Sequence, residues 1–216
     1  MNTGTVTGRP AGRRVGQVLL AIAAAILLVA GGWAVGRLSA PGTAHPGEGS
    51  AEAGFARDMQ VHHQQAVQMS MMIRDRTQDP EIRQLAYDIT RTQQQQAGQM
   101  YGWLSMWGLP QASPAPAMAW MEESASHGSS HEHSADAPAM PGMATSAQLD
   151  ALADAQGRQA ERLYLELMIP HHKAGVTMAE AVLQETDNPV VRPLAESILT
   201  AQQTEIRYLE QLLATQ

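Results

Sequence analysis

Two segments of the chain each place a pair of adjacent histidines between methionines. The first is DMQVHHQQAVQMSM, residues 58–71, and the second is LMIPHHKAGVTMAE, residues 167–180. In both, one methionine lies three residues before the first histidine and another lies seven residues after it. Imidazole nitrogen and thioether sulfur together suit copper, because methionine favours Cu(I) and histidine binds both oxidation states. Zinc is the alternative if only the histidines bind.

A further set of such side chains lies between the two segments. Residues 110–145 are rich in Pro, Ala, Ser, Met and His, and we predict a flexible linker that does not fold alone. Methionine has no core to fill in such a segment, so its two Met-x-x-Met pairs and one His-x-His indicate capture of copper. The alternative is low-complexity sequence without a ligand role. The predicted capture residues are Met118, Met121, His127, His131, His133, Met140 and Met143.

Composition excludes several other chemistries. The 216 residues contain no cysteine, which excludes disulfides and thiolate ligands. All 21 acidic residues and 10 of the 14 basic residues lie after residue 37, so this part carries a net charge of about −11. Such a charge argues against nucleic acid and anionic lipid surfaces as partners, and it is compatible with cations. No stretch resembles a nucleophile–base arrangement or a phosphate-binding loop.

The N-terminal segment predicts the compartment. Val15 to Val35 form 21 residues without a charge, which is long enough for a helix to cross a bilayer. Three arginines precede this segment and Arg37 follows it, so the positive-inside rule places residues 1–14 in the cytoplasm. We predict an uncleaved signal anchor over residues 15–36, spanning the cell membrane once with the bulk of the chain outside. The alternative is secretion after cleavage near Ala40.

The rest of the chain has the pattern of helices joined by short turns. Apolar residues recur at steps of three and four from Phe55 to Ile73, which is the spacing of one buried helix face. The segments QDPE and DNPV each end one helix and begin another with a cap followed by proline. The predicted organisation is a tether over 37–51, a helical hairpin over 52–109, the linker over 110–145 and a second hairpin over 146–216, whose first helix runs unbroken to about residue 185.

The second hairpin repeats the first at an offset of 109 residues. His62 and His63 match His171 and His172, and Pro80, like many other residues, has an identical match in the same register. One hairpin alone would expose its apolar face, whereas two hairpins can bury both faces against each other. We therefore predict an all-α fold, in which a duplicated helical hairpin forms a four-helix bundle behind an N-terminal transmembrane helix.

The paired histidines predict a polar layer inside this bundle. If the two histidine-bearing helices run parallel, all four helices share one layer that also contains Gln93, Gln96, Gln202 and Glu205, with methionines above and below. Two interpretations follow: the layer binds metal, or its hydrogen bonds only fix the register of the bundle. The predicted metal ligands are Met59, His62, His63, Met69, Met168, His171, His172, Met178 and Glu205.

The sequence resembles the family of domains of unknown function numbered three-hundred-and-five. The resemblance covers about residues 52–215 and rests on Met-x-x-His-His-x-x-Ala/Gly-x-x-Met in both halves, with EIRQLAYDITRTQQQQ and VVRPLAESILTAQQTEI in the partner helices. It implies a ferritin-like four-helix fold, an extracytoplasmic location and copper binding through Met and His, in which some members are implicated. One departure is Gln96, which matches Glu205 where the family pattern is expected to have Glu.

These observations predict an extracytoplasmic copper-binding protein, without enzymatic activity, that stores, buffers or transfers copper in copper tolerance. Its predicted partners are the metal ion and, through the N-terminal helix, the membrane; the sequence does not indicate a protein partner. The alternative is a helical interaction or scaffold domain with a structural His/Gln layer. A metal-dependent redox enzyme is a third hypothesis, but the di-iron version fits poorly because Glu-x-x-His spacing is missing.

Overall fold

The fold was analysed in a computed structural model that describes residues 11–39, 45–122 and 140–216. Every regular element in these ranges is a helix, which confirms the all-α prediction. The helices are α1 (Ala11–Ser39), α2 (Ala51–Arg76), α3 (Pro80–Trp107), α4 (Ala119–Glu122), α5 (Ser146–Asp154), α6 (Gly157–Glu185) and α7 (Val191–Ala214).

Helix α1 belongs to a unit of its own, separate from the compact unit His45–Gln216. Its segment Val15–Gly36 has a mean hydropathy of 2.5 and is long and apolar enough to cross a membrane. Membrane anchors and signal sequences both have this character.

Capping residues set the ends of the two helices in the first hairpin. Ser50 accepts a hydrogen bond from the backbone of Ala53 at the start of α2, and Asp79 accepts two at the start of α3, directly before Pro80. Gly108, with a φ of 70°, ends α3 in the left-handed conformation that glycine adopts readily. These caps define the first hairpin at the turn that the QDPE segment predicts.

The two hairpins pack with their histidine-bearing helices antiparallel. Thr77 at the end of α2 donates a hydrogen bond to Glu161 near the start of α6, and Thr186 at the end of α6 donates one to Glu52 near the start of α2. The two bonds are equivalent under the 109-residue repeat, so a pseudo-two-fold axis perpendicular to the helices relates the hairpins. The histidine-bearing helices are therefore not parallel, which was the condition considered for the shared polar layer. A sequence repeat specifies two similar hairpins, but it does not specify the axis that relates them.

The predicted third helix is interrupted. Helix α5 begins at a capping box formed by Thr145 and Gln148, and it ends at Ala155. Gln156 is extended and Gly157 has a φ of 54°, so the backbone changes direction before α6 begins. The prediction of one unbroken helix to residue 185 is wrong at this point. Helix α6 itself continues through Pro170.

The apolar core is divided into two clusters of buried side chains, and the histidines belong to neither. One cluster contains Met59 and Met178, and the other contains Met69 and Met168. The antiparallel packing produces this distribution, because it brings the first half of α2 beside the second half of α6. Helix α2 also packs against α3, and α6 against α7, which completes the four-helix bundle.

The Thr77–Glu161 and Thr186–Glu52 hydrogen bonds can be compared by replacing each threonine by valine. Each change removes a hydrogen bond to a carboxylate, and Glu161 is only 6% exposed whereas Glu52 is half-buried. We expect Thr77→Val to lower the free energy of unfolding in urea by about 2–3 kcal/mol, because it leaves a buried carboxylate unpaired. Thr186→Val should lower it by less. Equal losses, or the reverse order, would contradict this account of the packing.

Candidate metal centre

The centre of the bundle is a stack of two histidine rings that the repeat makes equivalent. The ring centroids of His62 and His171 are 3.7 Å apart, with 29° between the ring planes. Nε2 of His171 donates a hydrogen bond of 3.0 Å to the backbone oxygen of His62. Because the two residues are related by the pseudo-two-fold axis, their contact marks where α2 and α6 cross.

The second histidine of each pair faces the other helix of its own hairpin. Nε2 of His63 lies 2.9 Å from Oε1 of Gln96, and Nε2 of His172 lies 2.7 Å from Oε2 of Glu205. A carboxylate oxygen and an amide oxygen accept hydrogen bonds, so both Nε2 atoms carry the proton. The unprotonated nitrogen of each ring is then Nδ1, which has a lone pair.

Several polar atoms of this layer lack hydrogen-bond partners among the described residues. They are Nδ1 of all four paired histidines, Nε2 of His62, and both side-chain amide atoms of Gln93 and Gln202. The four imidazoles are fully buried. A buried polar atom without a hydrogen-bond partner lowers the free energy of unfolding by about 1–3 kcal/mol. The unpaired atoms of this layer therefore destabilise the bundle unless they gain a binding partner. Imidazole lone pairs of this kind are suitable donors for a transition metal.

Burial keeps three of the paired histidines, His62, His63 and His171, neutral. It lowers the pKa of His62 to about 3, and the neighbouring His63 and His172 add to this effect. It also lowers the pKa of His63 to about 3, although the hydrogen bond to Gln96 acts in the opposite direction. The pKa of His171 is lowered well below its usual value, chiefly by burial. A neutral imidazole is the form that ligates metal, since its lone pair is not occupied by a proton.

The paired histidines do not form a ready-made coordination site in this conformation. Within residues 11–39, 45–122 and 140–216, no three His, Asp or Glu side chains are grouped so that they could hold one metal ion. Coordination takes place in the plane of an imidazole, whereas His62 and His171 contact each other through their faces. Metal binding in this layer therefore requires the stacked rings to turn about their side-chain bonds.

The predicted methionine ligands lie on both sides of the histidine layer. Met59 and Met178 are buried in one apolar cluster, and Met69 and Met168 are buried in the other. Each of the four also fills the core, as methionine commonly does. Met100 on α3 lies one turn after Gln96 and is equally buried, in the cluster that contains Met59.

Both ends of the predicted linker pack against the bundle. Met118 and Met121 are half-buried against the cluster that contains Met59, while Met140 is 4% exposed and Met143 is half-buried. The two described ends of the predicted linker are therefore packed against the bundle at residues 118–121 and 140–144. The predicted capture residues His127, His131 and His133 lie outside the described residues.

Two polar residues of α2 attach these ends of the linker. Asp58 accepts hydrogen bonds of 2.8 Å from the backbone nitrogen of Met118 and from Nε1 of Trp120. Gln65 exchanges two hydrogen bonds with the backbone of Ala144. Burial raises the pKa of Asp58, and the two hydrogen bonds limit that rise.

Neither Asp58 nor Gln65 is predicted to have this role from the sequence. Both residues were visible as polar side chains seven positions apart, and therefore on one face of the helix. Their partners could not be identified from the sequence because they lie about 60 and 79 positions further along the chain.

Comparison with known proteins supports the sequence resemblance. The chain matches the family model described as Domain of unknown function (DUF305) over residues 52–213. The protein belongs to the DUF305 family. A segment of 53 residues is also 36% identical to an uncharacterized protein of Acanthamoeba polyphaga mimivirus, and the match spans 35% of that protein's length.

Solved structures of DUF305 proteins share the fold. A Streptomyces coelicolor protein, whose name calls it secreted, is 46% identical with a TM-score of 0.70, covering 78% of this chain and 95% of its own. A Deinococcus radiodurans DUF305 fragment is 33% identical with a TM-score of 0.61, covering 77% and 97%. CopM in its Cu(I)-bound form is 27% identical with a TM-score of 0.57, covering 76% and 96%. CopM has also been solved in Cu(II)-bound, Ag-bound and apo forms.

The buried neutral histidines make the stability of this DUF305 bundle depend on pH. The folded pKa of about 3 for His62 and His63 lies below the unfolded value of about 6.5, so the unfolded chain binds these protons first. Stability is therefore complete above about pH 6.5 and falls by about 1.4 kcal/mol per pH unit for each residue as the pH drops towards 3.

Urea unfolding of the metal-free protein between neutral and mildly acidic pH measures this loss. The exposed His45 provides the control, because His45→Gln should leave the profile unchanged. A stability that stays flat from about pH 7 to pH 4.5 would show that the imidazoles are not held neutral by burial.

Proposed function

We propose that the protein binds copper outside the cytoplasm and stores, buffers or transfers it, as in copper tolerance. The observation that carries this proposal is the set of buried ring nitrogens for which the described residues provide no hydrogen-bond partner: Nδ1 of all four paired histidines and Nε2 of His62. The proposed ligands are drawn from Met59, His62, His63, Met69, Met168, His171, His172 and Met178, with Glu205 beside His172.

Copper is favoured over zinc by the chemistry of the surrounding side chains. Thioether sulfurs flank the imidazoles on both sides, and they are soft ligands that select Cu(I). CopM, which shares the fold, has structures with Cu(I), Cu(II) and silver bound. The location outside the cytoplasm is supported by the apolar helix α1, which fits an anchor or a signal sequence, and by the relative whose name calls it secreted.

The proposed chemistry is ligand exchange without catalysis. A metal in this layer would be enclosed by buried imidazole and thioether groups, and it would be released when those groups bind protons or yield it to another carrier. The half-buried Met118 and Met121 adjoin the cluster that contains Met59, so thioethers extend from the bundle surface to its interior. We propose them as accessory capture ligands.

A scaffold function is the second candidate, and a specific observation favours it. The bonds His63–Gln96 and His172–Glu205 join the two helices of each hairpin, so they fix the register even without metal. In this case copper would leave the stability of the bundle unchanged.

Titration of the full-length protein in detergent with Cu(II), and with Ag(I) as a redox-inert substitute for Cu(I), separates the two candidates. A ligand that binds only the folded state at about 100 times its Kd stabilises by about 2.7 kcal/mol, so a copper-binding bundle should melt at higher temperature. The variant His62→Gln/His171→Gln should lose at least about tenfold in affinity. The matched control is His45→Gln, which alters an exposed histidine. An unchanged melting temperature with excess metal would favour the scaffold.

Methionine-to-leucine substitutions test the thioethers separately from packing. Leucine conserves volume, so Met59→Leu/Met168→Leu should cost less than about 1.5 kcal/mol per site in stability. If the sulfurs bind Ag(I), this variant should lose at least about tenfold in Ag(I) affinity, while Met106→Leu, which alters an exposed methionine of α3, should lose none. Equal Ag(I) affinity in the two variants would mean that Met59 and Met168 only fill the core.

A further inference from the structure

The two halves of the histidine layer differ in charge. In the α2–α3 half, Nε2 of His63 faces the neutral amide of Gln96 at 2.9 Å. In the α6–α7 half, Nε2 of His172 faces the carboxylate of Glu205 at 2.7 Å. The His63–Gln96 and His172–Glu205 pairs are equivalent under the repeat. They differ in one functional group, an amide at position 96 and a carboxylate at the matched position 205.

The hydrogen-bond partner of a metal-binding histidine affects the affinity of the ring for metal. A carboxylate that accepts from one ring nitrogen increases the electron density on the other nitrogen, and it also adds a negative charge close to the bound ion. Here the nitrogen available for metal is Nδ1 in both halves, because Nε2 donates to Gln96 or to Glu205. Both donors are imidazole Nδ1 atoms, and the partner of Nε2 on the same ring differs in charge between the halves.

Charge compensation has the greater effect on an ion of higher charge. A divalent ion held among buried neutral imidazoles loses more hydration energy than a monovalent ion, so a nearby carboxylate stabilises it more. Glu205 is 21% exposed at the edge of the layer, and the described structure records no Lys or Arg ion pair that would neutralise it. Its charge is available to an ion bound at His172.

We infer that the two half-sites differ in the oxidation state of copper that they prefer: the His172–Glu205 half favours Cu(II), and the His63–Gln96 half favours monovalent Cu(I). This inference rests on the proposed copper-binding function. It makes Gln96 and Glu205 the residues that set the charge preference, while the histidines and methionines provide the donor atoms. A single bundle can then hold copper in both states.

Exchanging the two side chains provides a reciprocal test. Glu205→Gln gives the second half the neutral partner that Gln96 already supplies in the first, so a geometrically similar hydrogen bond is available. Gln96→Glu places a carboxylate in the half that has Ala66 rather than Gly175, the glycine against whose backbone Gln202 packs. If the preference for Cu(II) moves to the first half together with the carboxylate, it arises from charge, because the packing around the two positions differs.

The full-length variants in detergent are titrated with Cu(II) and, separately, with Ag(I). We expect Glu205→Gln to weaken Cu(II) binding by at least about tenfold and to change Ag(I) binding by less than about twofold. Gln96→Glu should strengthen Cu(II) binding at the first half or add a second Cu(II) equivalent. The electron paramagnetic resonance spectrum of bound Cu(II) should change with Glu205→Gln, whereas a residue with only a packing role would leave it unchanged.

Two kinds of failure are distinguishable. If the wild type binds copper more tightly than the His62→Gln/His171→Gln variant, but Glu205→Gln weakens Cu(II) and Ag(I) equally or neither, the charge preference is wrong and the proposed function stands. If the wild type binds neither ion more tightly than the His62→Gln/His171→Gln variant, the charge preference and the proposed copper-binding function are both wrong. Circular dichroism of each variant before titration establishes that a loss of binding does not arise from unfolding.

Discussion

The main energetic constraint on the bundle is that four imidazoles are buried where its two hairpins cross. His62 and His171 stack on the pseudo-two-fold axis, and the second histidine of each pair reaches across its own hairpin to Gln96 or Glu205. Apolar side chains at this level would stabilise the bundle with fewer unpaired groups. The polar layer therefore reduces stability unless its lone pairs gain a partner, which is the physical basis for assigning it a binding role.

Duplication gives this arrangement its symmetry, and a few substitutions break it. Thr77–Glu161 and Thr186–Glu52 are matching bonds that fix the antiparallel packing at both ends of α2 and α6. Tyr164 donates or accepts a 3.0 Å hydrogen bond with Ser70, whereas the matching Phe55 lacks a hydroxyl. Such a departure changes one side chain at a matched position, so the two halves can differ in chemistry while α2 and α6 keep the same packing.

The segment between the hairpins breaks the symmetry further. Its two described ends attach to one face of α2, at Asp58 and at Gln65, about one turn before and one turn after the paired histidines. Gly54 accommodates the ring of Trp120, where any Cβ would collide with it. The connection between the hairpins is therefore part of the packed structure near the layer, and Met118 and Met121 are placed beside the core methionines.

Several features followed from the sequence because they depend on local chemistry. Helical spacing, the cap at Asp79 and the 109-residue repeat predict helical hairpins, and the structure confirms the all-α bundle. The predicted cap at Asn188 is wrong, because α7 begins at Val191 and its N-cap residue, Val190, makes no side-chain hydrogen bond to the helix. The residues of the polar layer could also be named, because they lie on the apolar face of an amphipathic helix. The metal itself and its ligands remain predictions.

The tertiary structure decided how these elements come together. Antiparallel packing of α2 and α6 depends on contacts between residues more than 80 positions apart, such as Thr77 and Glu161, for which helical periodicity contains no information. The break at Gly157 and the attachment of the linker to Asp58 likewise arise from long-range packing that overrides local propensity. The sequence determined which side chains enter the core, since that depends on spacing along one helix. Only the fold determined which of them meet, because that depends on the orientation of whole helices.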